Sequence, residues 1–294
     1  MTKRDSNFLL RSVLSNTAIM AVLLLALFAF KSLASEVSVI EIEKVRETPI
    51  SFNKNINIEI PAQSFAIFDV ESGEIIFSKN PNTQLPIASI TKLVTALAID
   101  KNWPLDKDLV ITNSDVAEEG RAGKLEVGQS YSYHELLFPL LLESSNDVAA
   151  AFIRDTNGMV IENMNNLTKE IGLSDTKFSD ASGLSAGNIS TASDLVLLIL
   201  YMYSNSSNIL DITKLSKYVG SYTGWINNNP VYDKTYQGGK HGYTEAAGRT
   251  VVSLFEEEFG NEKKVIGYVI LDSNNLKSDM STLRESIRQA VVFE

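Results

Sequence analysis

The sequence predicts an α+β fold: an antiparallel sheet flanked by helices, with an inserted helical subdomain. Three observations predict it. A hairpin pattern stands near the start of the main body, two more strand patterns and a helix stand near its end, and the stretch between them carries apolar residues at helical spacing. A sheet assembled from both chain ends around a helical middle satisfies all three, and no regular β–α alternation points to a parallel sheet.

The elements follow in order. Phe65-Ala66-Ile67-Phe68-Asp69-Val70 reads as a strand, Glu71-Ser72-Gly73 as its turn, and Glu74-Ile75-Ile76-Phe77-Ser78 as the returning strand. Residues 90–100 are apolar on every side, which predicts a buried helix rather than a surface one. Residues 134–171 read as largely helical, in the runs 134–142, 148–154 and 159–171. A turn-rich stretch, 179–188, leads into an apolar helix over 194–203. Residues 250–255 and 265–271 are strands on either side of Gly260-Asn261, and 277–291 is a closing helix.

The chain has 294 residues, 44% hydrophobic and 21% charged, which excludes a mostly disordered chain. Net charge is −10. Residues 1–34 hold four basic side chains and one acid, so the remainder holds 22 basic and 35 acidic ones. Such a body repels phosphate backbones and argues against a nucleic-acid partner. The absence of Cys excludes disulfides, thiolate metal sites and cysteine nucleophiles. No His-Glu-x-x-His or other metal-ligand spacing occurs, so neither metal nor cofactor is expected.

Lys3, Arg4 and Arg11 precede nineteen residues without charge, 12–30, long enough to cross a bilayer core as a helix. The basic flank orients the body outward. Ser32-Leu33-Ala34 offers a signal-peptide cleavage site, whereas Lys31 suits a membrane boundary and favours a retained anchor. The domain reading is therefore an anchor or signal peptide at 1–35, a polar linker with room for an edge strand at 36–60, and a main body at 61–294, placed outside the cytoplasm.

With no Cys and two His, a serine activated by lysine is one remaining nucleophile system. Ser-x-x-Lys occurs at 51, 89 and 174, so the pattern alone is weak. Only Ser89 stands at the start of a predicted apolar helix, and the spacing to Lys92 puts both side chains on one helix face. A helix start also offers backbone N–H groups to a developing oxyanion. An N-cap serine with an incidental lysine is the plain alternative. Two further pieces alter the balance: Ser144-Ser145-Asn146 between helical runs, and Gly239-Lys240-His241-Gly242-Tyr243 before a strand. Each alone reads as turn or cap chemistry. Chance supplies any one member easily and the ordered set rarely.

The ordered set Ser-x-x-Lys, Ser-x-Asn, Lys-x-Gly resembles that of penicillin-binding proteins and class A β-lactamases. From about residue 64 to the C-terminus the chain resembles the D-alanyl-D-alanine carboxypeptidases among the low-molecular-mass penicillin-binding proteins. Asp69 to Glu74, Leu136 to Ala151, Asp180-Ala181-Ser182-Gly183-Leu184, Ser190 to Asp194 and Gly239 to Gly248 carry the likeness. The resemblance implies a β-lactamase/transpeptidase-like fold with its site between sheet and helical subdomain. It implies Ser89 as acylated nucleophile, Lys92 as base, Ser144 as proton relay to the leaving amine and Asn146 as a ligand of the substrate amide. Lys240 would hold the terminal carboxylate, aided by His241 and Gly242, and the N–H groups of Ser89 and Tyr243 would form the oxyanion hole. Peptidoglycan stem peptides would be the substrate, β-lactams covalent inhibitors, and the membrane a partner through the N-terminal helix.

The family has Thr or Ser where this chain has His241. A histidine is larger and, if protonated, adds charge at the carboxylate site, with a pH limb near 6.5, its ordinary value. That departure leaves a second reading open: a catalytically impaired peptidoglycan-binding protein of the same fold. The chain also ends just after its last predicted helix, without the amphipathic tail that anchors some relatives, which favours the N-terminal anchor. Two decoys are set aside. Gly183-Leu184-Ser185-Ala186-Gly187 fits a hydrolase nucleophile elbow, but 176–180 before it is too short and polar for a buried strand. Glu162 and Asn166 mimic a β-lactamase deacylation pair, but their helical run makes Glu162 a solvated carboxylate. Without a deacylating glutamate, a β-lactam acyl-enzyme is expected to persist.

Overall fold

The computed structural model describes residues 50–293, apart from 118 and 121. The predicted anchor and the linker up to residue 49 lie outside the described residues. Among the described residues, no single helix is long and apolar enough to cross a membrane.

A five-stranded antiparallel sheet is the centre of the fold. Strand β1, Ile50–Phe52, lies apart from it and pairs with β7, Val291–Phe293. The sheet is built from β2 (Ser64–Asp69), β3 (Ile75–Lys79), β4 (Tyr236–Thr244), β5 (Gly248–Phe259) and β6 (Glu262–Ser273), in the order β4-β5-β6-β2-β3. Chain-start and chain-end strands meet where β6 pairs β2, with Gly267 opposite Phe68.

Alternation along the strands serves two cores. Phe65 and Ile67 of β2, with Phe255 and Tyr268, pack on the face covered by Leu276, Met280, Leu283 and Ile287. These last four belong to the closing helix α7, Leu276–Ala290. Ala66 and Phe68, with Val252, Leu254 and Val269, face the opposite core, which the helical region fills. All six residues of β2 are therefore buried, which explains its continuous apolar run.

The helical region contains α1 (Thr91–Asn102), α2 (Tyr133–Leu142), α3 (Asn146–Asp155), α4 (Met159–Ile171), α5 (Ala192–Asn205) and α6 (Ser207–Lys214). In α1 every residue from Thr91 to Ile99 is buried, as its apolar circumference predicts. Ser132 caps α2 by accepting from Glu135 N at 3.1 Å, and Ser145 caps α3 by accepting from Val148 N at 3.2 Å. The break between these helices is Ser144, in the left-handed region at φ 62°.

The structure departs from the sequence reading in three places. Residues 239–243, read as standing before a strand, lie inside β4, where Gly238 and Gly239 take φ 131° and 133° beside a register shift. Glycine weakens the strand signal while permitting this bulged backbone. The closing helix stops at Ala290, because Val291 turns into β7 to pair with Phe52. Within the 36–60 stretch, β1 takes the place of an edge strand and Ile60 is buried. Helix α6 and the hairpin of Lys217–Val219 with Gly224–Ile226 were not anticipated.

A buried ion network fixes the approach to β4. Glu257 on β5 is 1% exposed and accepts from Arg284 Nε at 2.5 Å and Arg288 Nη2 at 2.6 Å on α7. Arg284 also reaches Asp233 at 2.6 Å and Thr235 at 2.9 Å, immediately before β4. Closing helix, β5 and the segment before β4 are thus tied together through Arg284, which bridges the buried Glu257 to Asp233.

Candidate active site

Ser89 lies in a single 3₁₀ turn, Ala88–Ile90, that feeds directly into α1. Ala88 before it is left-handed at φ 49°, an uncommon conformation for a residue with a Cβ. Backbone contacts from both sides hold the turn there. Ile87 N donates to Asn188 O at 3.0 Å, and Ile87 O accepts from Thr250 Oγ1 at 2.9 Å. Gly183, at φ 89°, comes so close that a Cβ on it would lie 2.1 Å from Ala88 O. Gly242 of β4 approaches from the other side, where a Cβ would lie 2.4 Å from Ser89 N. Two glycines therefore grip the turn, and the edge strand runs directly past the Ser89 N–H.

One helical turn on, Lys92 is fully buried. Its Nζ is 3.0 Å from Ser89 Oγ, 2.7 Å from Asn146 Oδ1 and 2.5 Å from Ser182 O. Burial depresses its pKa to about 7, against the opposing pull of Asp180. Asn146 opens α3, and its Nδ2 donates to Glu119 O at 2.7 Å. Ser144, half-buried two residues earlier, hydrogen-bonds to no described residue.

Lys240, in the middle of β4, is 1% exposed and donates to His241 O at 2.8 Å. Burial and then the neighbouring Lys92 hold its pKa well below the lysine range. His241 is half-buried and its ring hydrogen-bonds to no described residue. Burial, Lys240, Lys92 and Arg249 push its pKa down to about 2. Of the two states the sequence left open, the site favours the neutral imidazole near pH 7, which gives no limb near 6.5. Tyr243 follows, 58% exposed, with Arg249 stacked 5.2 Å from its ring centre.

The structure thus brings Ser89, Lys92 and Asn146 into direct contact, lays Gly242 against Ser89 and sets Lys240 and His241 within electrostatic reach of Lys92. The decoys fall elsewhere. Ser185 Oγ accepts from Gly187 N at 3.1 Å in a loop that no buried strand precedes. Glu162 is exposed on α4 while Val160, Met164 and Leu167 face the core. Sequence reasoning missed the parts contributed by backbone and by the 180–188 loop: Ser182 O, Asn188, Thr250 and Asp180. The Asp-Ala-Ser-Gly-Leu run was visible, but nothing in it states that its Ser182 carbonyl meets a lysine ninety residues away.

Residues 50–274 match the profile of peptidase S11, described as D-alanyl-D-alanine carboxypeptidase. A D-alanyl-D-alanine endopeptidase of Pseudomonas aeruginosa is 31% identical over 207 residues, covering 66% of this chain and 67% of the relative. A D-alanyl-D-alanine carboxypeptidase of Mycobacterium tuberculosis is 30% identical over 202 residues, covering 65% and 69%. The crystal structure of penicillin-binding protein D2 of Listeria monocytogenes in its cefotaxime-bound form superposes with a TM-score of 0.68 at 25% identity, covering 79% of this chain and 97% of that one.

The grip on Ala88 is testable without substrate. Gly183→Ala places a methyl group against Ala88 O in a left-handed backbone, and should cost about 2–4 kcal/mol in urea unfolding. A loss below about 0.5 kcal/mol, the range of a neutral surface change, would show that the two segments are not in this contact.

Proposed function

The chain belongs to the D-alanyl-D-alanine carboxypeptidase family of serine peptidases, and from that premise we propose that it removes the terminal D-alanine of peptidoglycan stem peptides through an acyl-enzyme on Ser89. The observation that carries this reading is the contact between Lys92 Nζ and Ser89 Oγ, made by an amine that burial brings to a pKa of about 7. An amine of that kind is half unprotonated at neutral pH and takes the hydroxyl proton as Oγ attacks the carbonyl carbon.

The remaining roles follow from position. The N–H of Ser89 and of Tyr243 stabilise the oxyanion. Collapse breaks the C–N bond, Ser144 passes a proton to the departing amine, and water later cleaves the ester. Asn146 holds the amide of the incoming peptide. Lys240, buried with no carboxylate bonded to it among the described residues, takes the terminal carboxylate of the substrate, whose charge offsets the burial of the ammonium. Strand β4 is a sheet edge, and its free backbone groups suit an extended peptide. A β-lactam acylates the same serine but keeps its leaving group tethered, so its ester persists.

A second reading concerns the cleaved bond. The Pseudomonas relative is named an endopeptidase, and cleavage of a D-alanyl cross-link uses the same steps with a larger amine leaving. Products from a cross-linked peptide, unlinked chains or free D-alanine, separate the two. We place the enzyme in the cell envelope, held by the uncharged segment 12–30; the mass of the mature chain, with or without residues 1–34, decides between anchor and cleaved signal.

Ser89→Ala should reduce labelling by a fluorescent penicillin at least about a thousandfold, as expected for loss of a nucleophile, while Ser185→Ala retains most of it. Label that survives the first change and vanishes with the second would reassign the nucleophile, and a folded wild-type protein that takes no label would leave a non-catalytic binding protein. His241→Thr should raise kcat/KM on a D-Ala-D-Ala peptide roughly tenfold or more. A small hydroxyl then replaces a bulky neutral ring beside the carboxylate, and one hydrogen bond to a charged group is worth ~1.5–3 kcal/mol. The pH profile should keep its shape, because the imidazole it replaces does not titrate there. A slower threonine variant would assign the histidine to a different substrate preference.

A further inference from the structure

Asp180 lies in the loop between α4 and α5, outside the three motifs. Its Oδ1 accepts from Ser182 N at 2.8 Å, Gly183 N at 2.6 Å, Ser182 Oγ at 3.1 Å and Asn188 Nδ2 at 3.1 Å. Its Oδ2 accepts from Ser185 N at 2.6 Å. All five partners are donors, the arrangement an ionised carboxylate satisfies and a neutral side chain does not. Gathering three backbone N–H groups on one side chain reverses the loop and turns the Ser182 carbonyl outward, where it meets Lys92 Nζ at 2.5 Å. The same loop is docked on α1 on either side of Lys92. Asn188 Nδ2 donates to Thr91 Oγ1 at 3.0 Å, and Thr95 Oγ1 donates to Ala181 O at 2.7 Å.

We infer that Asp180 is a positioning residue for the reaction: its carboxylate folds the loop that fixes the Lys92 amine beside Ser89, and its charge faces that amine across the loop. The inference rests on the reading of Ser89 and Lys92 as nucleophile and base. Among the described residues, Asp180 acts on Lys92 from the loop and Lys240 and His241 are coupled to it from β4, while α3 contributes the uncharged Asn146 beside the buried Asp147. Asp180 thus sets a negative charge against Lys92. Its pull opposes the desolvation of Lys92, so the amine stays basic enough to accept a hydroxyl proton while being neutral enough to act. Gly183, held by the same carboxylate, supports the Ala88 carbonyl, so one side chain positions both base and nucleophile turn.

The test is the pH dependence of acylation by a fluorescent penicillin in the full chain. Asp180→Asn keeps an acceptor for Ser182 N and Gly183 N but removes the charge. The midpoint of the acid limb should move down by about one pH unit, the scale of a nearby opposite charge, and the plateau rate should fall. Asp180→Glu, which retains the charge at a different reach, should keep the wild-type midpoint with a lowered plateau. If Asp180→Asn does not fold, Asp180→Ser removes the same charge and is read in the same way. A midpoint unchanged or raised in the neutral variants would overturn the inference, since a residue that merely folds the loop lowers the plateau without lowering the midpoint. Absence of Ser89-dependent label in the wild-type protein would overturn the underlying reading as well, and is distinguished by that measurement alone.

Discussion

A lysine amine enclosed by protein, with a serine hydroxyl, an asparagine oxygen and a backbone carbonyl as its neighbours, is the interaction on which the rest of this structure depends. An ammonium in that position forfeits its hydration, and the depression of Lys92 from 10.5 to about 7 expresses several kcal/mol of that cost. The three oxygens at 2.5–3.0 Å keep the amine from being unpaired in either protonation state. Each comes from a different piece of chain: Ser89 from the 3₁₀ turn, Asn146 from the start of α3, and Ser182 from the loop before α5. The fold must therefore hold three segments in register before the chemistry exists.

Sheet and helices supply that register in different ways. The sheet has one apolar core on each face, so its strands cannot slip by a residue without exposing both. That fixes β4 at the edge and lays Gly242 against Ser89 N. The helical region holds α1 buried on all sides and docks the 180–188 loop along it. Ala88, left-handed before the nucleophile turn, sits where these two parts meet, between Gly183 and Gly242 of β4. A backbone conformation of this kind persists only where neighbouring structure over-determines it.

Local patterns carried most of what could be foreseen. The strands over 64–79, the buried helix after Ser89 and the helices over 133–171 were legible because their signals are runs of neighbouring residues. The three motifs were legible because each is short and their order is distinctive. Strand β4 was not legible, since two glycines and a lysine lower its strand propensity, and its place is set by pairing with β5 rather than by its own composition. Asp180 and Ser182 were hidden for a related reason: one acts through backbone N–H groups and the other through a carbonyl, which no side-chain pattern records. His241 was recognised as a departure, but its neutrality depends on burial beside Lys240, Lys92 and Arg249, which only the fold reveals.

The claim that Lys92 is neutralised by its surroundings can be measured without substrate. In protein carrying ¹³C-labelled lysine, the Lys92 Cε resonance, assigned by its loss in Lys92→Met, should titrate with a midpoint near the value of about 7 that the site imposes. A Lys92 resonance that titrates at the ordinary lysine value of ~10.4 would contradict the account, for the amine would then be charged at neutral pH and unable to take the serine proton.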